Sequence, residues 1–186
     1  MRLREIFVGE GSPGRVENQE FLHRIISSPR DYDPSTGTIL ARPFEKVFAN
    51  GLSVWRPIGN DQDLQRLLEE AISRGPNDPA KQVFAICEVS ARDVRELEGR
   101  DGERLFCVYD QTVQRTDPAL APVPTHGSIF LRVPNPGTPD GRKIKKDYAG
   151  KLRDKFLEKQ LTLADYRGGF CESLNARARA GDFVHK

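Results

Sequence analysis

Two unbroken apolar runs constrain the fold of this chain more than any other feature of its sequence. They span residues 83–87 (Val-Phe-Ala-Ile-Cys) and residues 105–109 (Leu-Phe-Cys-Val-Tyr). Each run has the length of a strand and contains no charged residue, a pattern that is typical of strands buried in the middle of a sheet. We therefore predict two central strands that are neighbours in one sheet.

An amphipathic helix is predicted over residues 61–74, before the first apolar run. Its apolar residues follow the spacing of one helical stripe: Leu64, Leu67, Leu68, Ala71 and Ile72. This spacing buries one face of a helix that has 3.6 residues per turn. Asn60 or Asp61 can cap its beginning, and Gly75 with Pro76 can end it. We expect this helix to pack against the sheet.

Weaker strand patterns occur at residues 5–8, 52–55 and 128–133, and a short helical pattern occurs at residues 91–97. Residues 21–26 suit the end of a helix and a strand equally well. Together with the two apolar runs, these segments predict an α+β fold with a mixed or antiparallel central sheet and packed helices.

A change of composition divides the chain after this region. Residues 134–141 read Pro-Asn-Pro-Gly-Thr-Pro-Asp-Gly, and residues 142–159 then carry eight basic and three acidic side chains in a chain whose net charge is +2. We predict a core domain at 1–133, a Pro/Gly-rich linker at 134–141 and a basic helical segment at 142–186. A local excess of positive charge favours a negatively charged partner.

Within the basic segment, residues 142–161 are predicted to form a helix. Tyr148, Leu152 and Phe156 lie on one side of it and are expected to dock on the core or on a second subunit. Lys151, Lys155 and Lys159 form an exposed row at intervals of four residues. We predict that this row binds an acidic protein surface or nucleic acid.

Length and composition exclude several classes of protein. A chain of 186 residues is long enough for one ordinary domain without disulfides or metal. It contains no apolar stretch long enough to span a membrane, and its beginning lacks the apolar region of a secretion signal. The three cysteines are far apart in sequence. We therefore predict a cytoplasmic protein with reduced thiols and no membrane contact.

The sequence offers one nucleotide-binding motif and no metal motif. Residues 9–14 match the glycine pattern of a dinucleotide fingerprint, but Asp33 does not follow a second strand as that fingerprint requires. His23, His126 and His185 have no spacing that would hold a metal. We predict neither a resident cofactor nor a metal.

A candidate active site is predicted from polar residues in or beside the strands. Arg24, Ser53 and His126 are the catalytic candidates, because the strands that carry them can converge at one sheet edge. Trp55 is the only tryptophan, and together with Arg56 it can form a wall on which a planar substrate stacks.

Two functions follow from these features. The first is an interaction module whose basic segment contacts an acidic partner. The second is a small nucleotide-using enzyme, because the order of elements resembles that of the split-sheet ADP-ribosyltransferase fold. That resemblance implies NAD as a substrate and a catalytic glutamate, for which Glu88 and Glu172 are both candidates. The likeness lies in the order of elements alone and identifies no family.

Overall fold

The structure is a computed structural model that describes residues 14–56, 81–111, 126–132, 141–158 and 160–162. Its strands are β1 (Phe21–Pro29), β2 (Tyr32–Asp33), β3 (Thr38–Ile39), β4 (Leu52–Trp55), β5 (Lys81–Ser90), β6 (Phe106–Asp110), β7 (His126–Leu131) and β8 (Gln160–Thr162). Its helices are a 3-10 helix (Arg42–Phe48), α1 (Ala91–Glu96) and α2 (Gly141–Leu157). The fold is α+β, as the sequence predicts.

Six of the described strands form one sheet, in the order β6-β7-β4-β1-β5-β8. Every neighbouring pair is antiparallel. β2 and β3 form a separate antiparallel pair. The ambiguous segment at 21–26 is therefore a strand, and it lies in the interior of the sheet.

The large sheet consists of two parts that meet at β1 and β4. β1 pairs with β5 along its length, from Phe21 opposite Ser90 to Pro29 opposite Lys81. By contrast, β1 is joined to β4 through a single described residue pair, His23 opposite Trp55. We call the boundary between β1 and β4 the seam.

One face of the sheet carries the hydrophobic core. Because side chains alternate along a strand, every second residue of each strand points to this face. The strands contribute Leu22, Ile26, Leu52, Val54, Ala85, Cys87, Val89, Phe106, Val108 and Ile129. The 3-10 helix and α2 cover this face, where the rings of Phe44 and Phe156 lie 5.6 Å apart.

Particular side chains explain where α1 begins and which face of α2 is buried. Ser90 ends β5 and caps α1, because its Oγ accepts a hydrogen bond of 3.0 Å from the backbone N–H of Asp93. In α2, Tyr148, Leu152 and Phe156 are buried in the core cluster. Of the two surfaces on which these residues were predicted to dock, the core and a second subunit, the core is the one that they contact in this structure.

Two predictions about the fold are wrong. The apolar runs at 83–87 and 105–109 form β5 and β6, which are not neighbours: β1, β4 and β7 lie between them, and β6 is at the edge of the described sheet. An apolar run indicates that a strand is buried, and both strands are buried against the same core although they do not pair with each other. The second correction concerns α2, which ends at Leu157, before the predicted residue 161. Gln160–Thr162 instead pairs with β5, whose free edge supplies the hydrogen-bonding partners.

Several predictions fall outside the described residues. These are the helix at 61–74, the strand at 5–8, most of the glycine motif at 9–14, Lys159 and Glu172. The division of the chain into 1–133, 134–141 and 142–186 also stays a prediction. No helix in the described ranges is both long and apolar enough to cross a membrane.

Candidate functional site

Four polar or aromatic residues line up across four neighbouring strands, on the face of the sheet opposite the core. Glu88 of β5 is opposite His23 of β1, His23 is opposite Trp55 of β4, and Trp55 is opposite His126 of β7. We call these four residues the polar row. With strands about 4.8 Å apart, the row spans roughly 14 Å of the sheet and crosses the seam.

His23 and Glu88 form a buried pair at one end of the polar row. His23 Nε2 lies 2.9 Å from Glu88 Oε2, and the two residues are 3% and 1% exposed. An ionised carboxylate only accepts hydrogen bonds, so His23 Nε2 carries the shared hydrogen when Glu88 is ionised. His23 Nδ1 then holds the lone pair of the ring, and within the described part of the chain it has no hydrogen-bond partner.

His126 lies at the other end of the polar row. Its Nδ1 is 2.7 Å from the backbone oxygen of Gln111. Because a carbonyl only accepts, this bond fixes the hydrogen on Nδ1 and leaves the lone pair on Nε2. Burial lowers the pKa of His126 and so favours the neutral ring, and the charge of Arg24 acts in the same direction. Asp110 and the Gln111 carbonyl oppose this shift.

Trp55 stands between the two histidines. Its ring contacts that of His126 in an edge-to-face arrangement, with 6.4 Å between the ring centres. Ser53, two residues earlier on the same face, is opposite Ser128 of β7. Trp55 and Ser53 are half-buried whereas His23 and Glu88 are buried, so the polar row is more open to solvent at β4 than at β5.

The structure brings Ser53, Trp55 and His126 together, but Arg56 belongs to the core side of the sheet. Arg56 is 1% exposed. It binds both oxygens of Glu20 at 2.8 and 3.0 Å, Asp110 Oδ1 at 2.5 Å, and the backbone oxygens of Gly14 and Arg15 at 2.7 and 3.2 Å. These bonds use all five N–H groups of the guanidinium. Arg56 therefore ties the segment before β1 to the sheet.

Arg24 also points to the core side, where it is paired in register with Cys87. Its Nη1 donates a hydrogen bond of 2.8 Å to the backbone oxygen of Ser53, across the seam. Burial lowers the pKa of Arg24 to about 10, with Arg30 acting in the same direction. Burial also raises the pKa of Cys87 to about 12, so this thiol stays protonated. Arg24 thus contacts the main chain of Ser53, on the opposite face from the side chains of the polar row.

The described lysines of the predicted partner-binding row have partners within the chain. Lys151 Nζ donates to the backbone oxygen of Glu98 at 2.8 Å. Lys155 Nζ lies 2.9 and 3.0 Å from the two carboxylate oxygens of Glu158. Both lysines are half-buried. Part of the positive charge of α2 is therefore already engaged in contacts within the chain.

His23 is not among the predicted site residues, and Glu88 is one of two glutamates predicted as candidates. Both residues interrupt apolar strands at positions that face away from the core. A polar residue inside an apolar strand was the sequence signal that could have identified both as site residues, since a charged residue in such a strand needs a partner. Which partner it meets depends on strand register, and the sequence does not specify that register.

Comparisons of the chain with models of protein families, with curated proteins and with solved structures found no match. Among the described residues, no three His, Cys, Asp or Glu side chains are grouped so that they could hold a metal ion. Function therefore has to be inferred from the chemistry of the site.

Proposed function

We propose that this protein is an enzyme that acts on a nucleotide-like substrate, and that the polar row is its active site. The observation that carries the proposal is the buried His23–Glu88 pair, which faces away from the core and lies directly beside the only tryptophan. Polar pairs that serve only packing have no need of an adjoining aromatic surface that is partly open to solvent, as that of Trp55 is. Acid–base catalysis on a planar substrate needs both.

His23 is the proposed general base. A carboxylate that binds one imidazole nitrogen orients the ring and stabilises the cation that forms when the other nitrogen takes a proton. Glu88 is in this position on Nε2, and Nδ1 has no partner among the described residues. Glu88 is therefore a positioning residue, and His23 is the catalytic one. His126 Nε2 supplies a second lone pair at the far end of the row.

NAD is the proposed substrate class. Half-buried Trp55 offers a surface on which its nicotinamide ring can stack. In the reaction, the bond between ribose carbon and nicotinamide nitrogen breaks, and its electron pair neutralises the nicotinamide. Water or an acceptor hydroxyl bonds to the ribose carbon and gives its proton to His23 Nδ1. The choice of NAD comes from the resemblance to the split-sheet ADP-ribosyltransferase fold. The single residue pair that joins β1 to β4 at the seam supports this choice, because it divides the sheet into two parts.

Two measurements test the proposal. Because Trp55 is the only tryptophan, intrinsic fluorescence reports directly on the polar row, and we expect NAD to change it in a saturable manner. We also expect release of nicotinamide by the wild type. His23→Gln removes the base and should lower that rate by about 100-fold or more. Glu88→Gln should lower the rate and shift its pH profile while NAD still binds.

Glu96→Gln is the matched control for Glu88→Gln. It makes the same change on exposed α1, away from the polar row, and should leave turnover unchanged. Absence of both a saturable fluorescence change and nicotinamide release at millimolar NAD would refute NAD as the substrate. Equal turnover by wild type and His23→Gln would refute the role of His23.

Interaction with an acidic partner stays a second proposal. The first turn of α2 contains no acidic residue, and Arg142, Lys143 and Lys146 are exposed. Positive charge near the beginning of a helix opposes the helix dipole and so destabilises the helix. A negatively charged partner at this end would offset that cost. The proposal is independent of catalysis, since none of these side chains belongs to the polar row.

A further inference from the structure

Arg24 is a buried cation that uses only a small part of its binding capacity. It is 5% exposed, and its one hydrogen bond among the described residues joins Nη1 to the Ser53 carbonyl. Its Nε is buried without a hydrogen-bond partner. Nε and Nη2 form the edge of a guanidinium that binds two oxygens of one oxyanion side by side. This edge of Arg24 has no partner within the described part of the chain.

One carboxylate, Asp31, and two cations, Arg30 and Lys46, are the described charged groups that interact with Arg24. Asp31 is the nearby carboxylate that attracts it, but both Asp31 oxygens are already engaged: Arg30 binds them at 2.9 Å each, and the Ser27 N–H binds Oδ2 at 3.1 Å. Lys46, on the 3-10 helix, is the third cation. Partial desolvation lowers the pKa of Lys46, and repulsion by Arg24 and Arg30 lowers it further. The three cations are thus close enough to repel one another.

We propose that Arg24, Arg30 and Lys46 form a binding site for a small tetrahedral oxyanion of the phosphate class. Arg24 holds the anion at the buried end through its Nε–Nη2 edge. Arg30 and Lys46 are exposed and form the entrance to the site. The site lies on the core side of the sheet, so it does not depend on the catalytic role proposed for the polar row.

Electrostatics favours this occupant over the alternatives. A buried cation is costly unless an opposite charge or a full set of hydrogen bonds compensates it. Among the described residues no carboxylate forms a hydrogen bond with Arg24, and Asp31 acts on it through its charge alone, whereas Glu20 and Asp110 bind Arg56 directly. A dianionic oxyanion neutralises two cations at once and matches the geometry of the free arginine edge. A neutral ligand would leave the repulsion among the three cations in place.

The test is thermal unfolding and calorimetric titration of the full chain with inorganic phosphate, in a chloride buffer of constant ionic strength. We expect a saturable rise of the Tm and a measurable Kd. Lys46→Gln should weaken binding by about tenfold or more, because it removes one of the cations. Arg24→Lys keeps the positive charge but loses the Nε–Nη2 edge, and Arg24→Met loses the charge as well as the edge. We expect each of these two variants to abolish phosphate binding.

Arg100→Gln is the control, because it removes one positive charge from an exposed turn between α1 and β6 and should leave the Kd unchanged. Lys46 is exposed, so Lys46→Gln keeps the test decisive even if an Arg24 variant fails to fold. The site is refuted if phosphate acts no differently from chloride, or if Lys46→Gln and Arg100→Gln weaken binding equally. A parallel titration with adenosine monophosphate identifies the source: tighter binding than inorganic phosphate indicates a phosphate ester, and weaker binding indicates the free ion.

Discussion

Arg56 and Arg24 are two arginines buried on the core side of the same sheet, and their surroundings compensate their charges to very different degrees. Arg56 makes five hydrogen bonds, two of them to Glu20 and one to Asp110. Within the described part of the chain, Arg24 makes one hydrogen bond, to a neutral carbonyl oxygen. The sequence does not distinguish the two arginines, since Arg24 interrupts a run of strand residues and Arg56 follows one.

The difference separates a structural role from a binding role. An arginine whose donors are all used can bind nothing more, and its loss leaves carboxylates without their arginine partner. An arginine with an unused edge retains the capacity to bind, and its charge destabilises the fold until something neutralises it. Burial alone therefore does not indicate which residues of a sheet are functional. For a buried arginine, the number of N–H groups that already have hydrogen-bond partners distinguishes the structural role from the binding role.

The largest effect is expected from Arg56→Met. Glu20 and Asp110 lose their arginine, and the segment before β1 loses its attachment to the sheet. We expect the free energy of unfolding to fall by about 3–5 kcal/mol, as is typical when one member of a buried ion pair is removed. Urea unfolding followed by Trp55 fluorescence measures this loss.

Arg92→Met provides the control for Arg56→Met. Arg92 is exposed and forms a pair at i, i+4 with Glu96 at 2.9 Å. Exposed pairs of this kind contribute about 0.5 kcal/mol or less. If the two variants lose the same amount of stability, the network around Arg56 is not the structural attachment that its geometry indicates.

Arg24→Met should have a much smaller effect on stability in a buffer without phosphate. The variant leaves the Ser53 carbonyl without its hydrogen bond, which is destabilising, but it also removes a desolvated charge whose pKa burial lowers to about 10. We expect these contributions to offset each other, so that the free energy of unfolding stays within about 1 kcal/mol of wild type. A loss as large as that of Arg56→Met would show that Arg24 is fully compensated and would contradict the comparison.

Much of the fold could be predicted from the sequence. Continuous apolar runs gave β5 and β6, and residues 52–55 are β4 with the predicted bounds. The docking face of α2 followed from helical spacing, because Tyr148, Leu152 and Phe156 recur every four residues. Periodicity reports which face of an element is buried, and burial is what these predictions required.

Strand order and the site could not be predicted in the same way. β5 and β6 have the same apolar pattern yet lie on different sides of the seam, because local pattern does not encode which strands pair. The same limit applies to the site. His23 and Glu88 are 65 positions apart in sequence, and only register brings them to 2.9 Å. Arg24 and Arg56 were grouped with Ser53 because the strands that carry or adjoin them could converge at one sheet edge, but alternation along the strands places both arginines on the other face.

The smallest expected effect concerns His126, a third buried group that can carry a positive charge. Unlike the two arginines, His126 avoids the cost of a buried charge by staying neutral. Burial lowers its folded-state pKa below the usual 6.5. The unfolded state therefore binds the proton more readily, so this contribution to stability is complete above that value and is lost as the pH falls through the lowered folded pKa. His126→Asn keeps a donor for the Gln111 carbonyl but does not titrate. We expect urea unfolding to show that wild type loses more stability than His126→Asn between about pH 7.5 and about pH 5. Identical losses would show that His126 is not desolvated in the folded protein, and a smaller loss for wild type would reverse the sign of the argument.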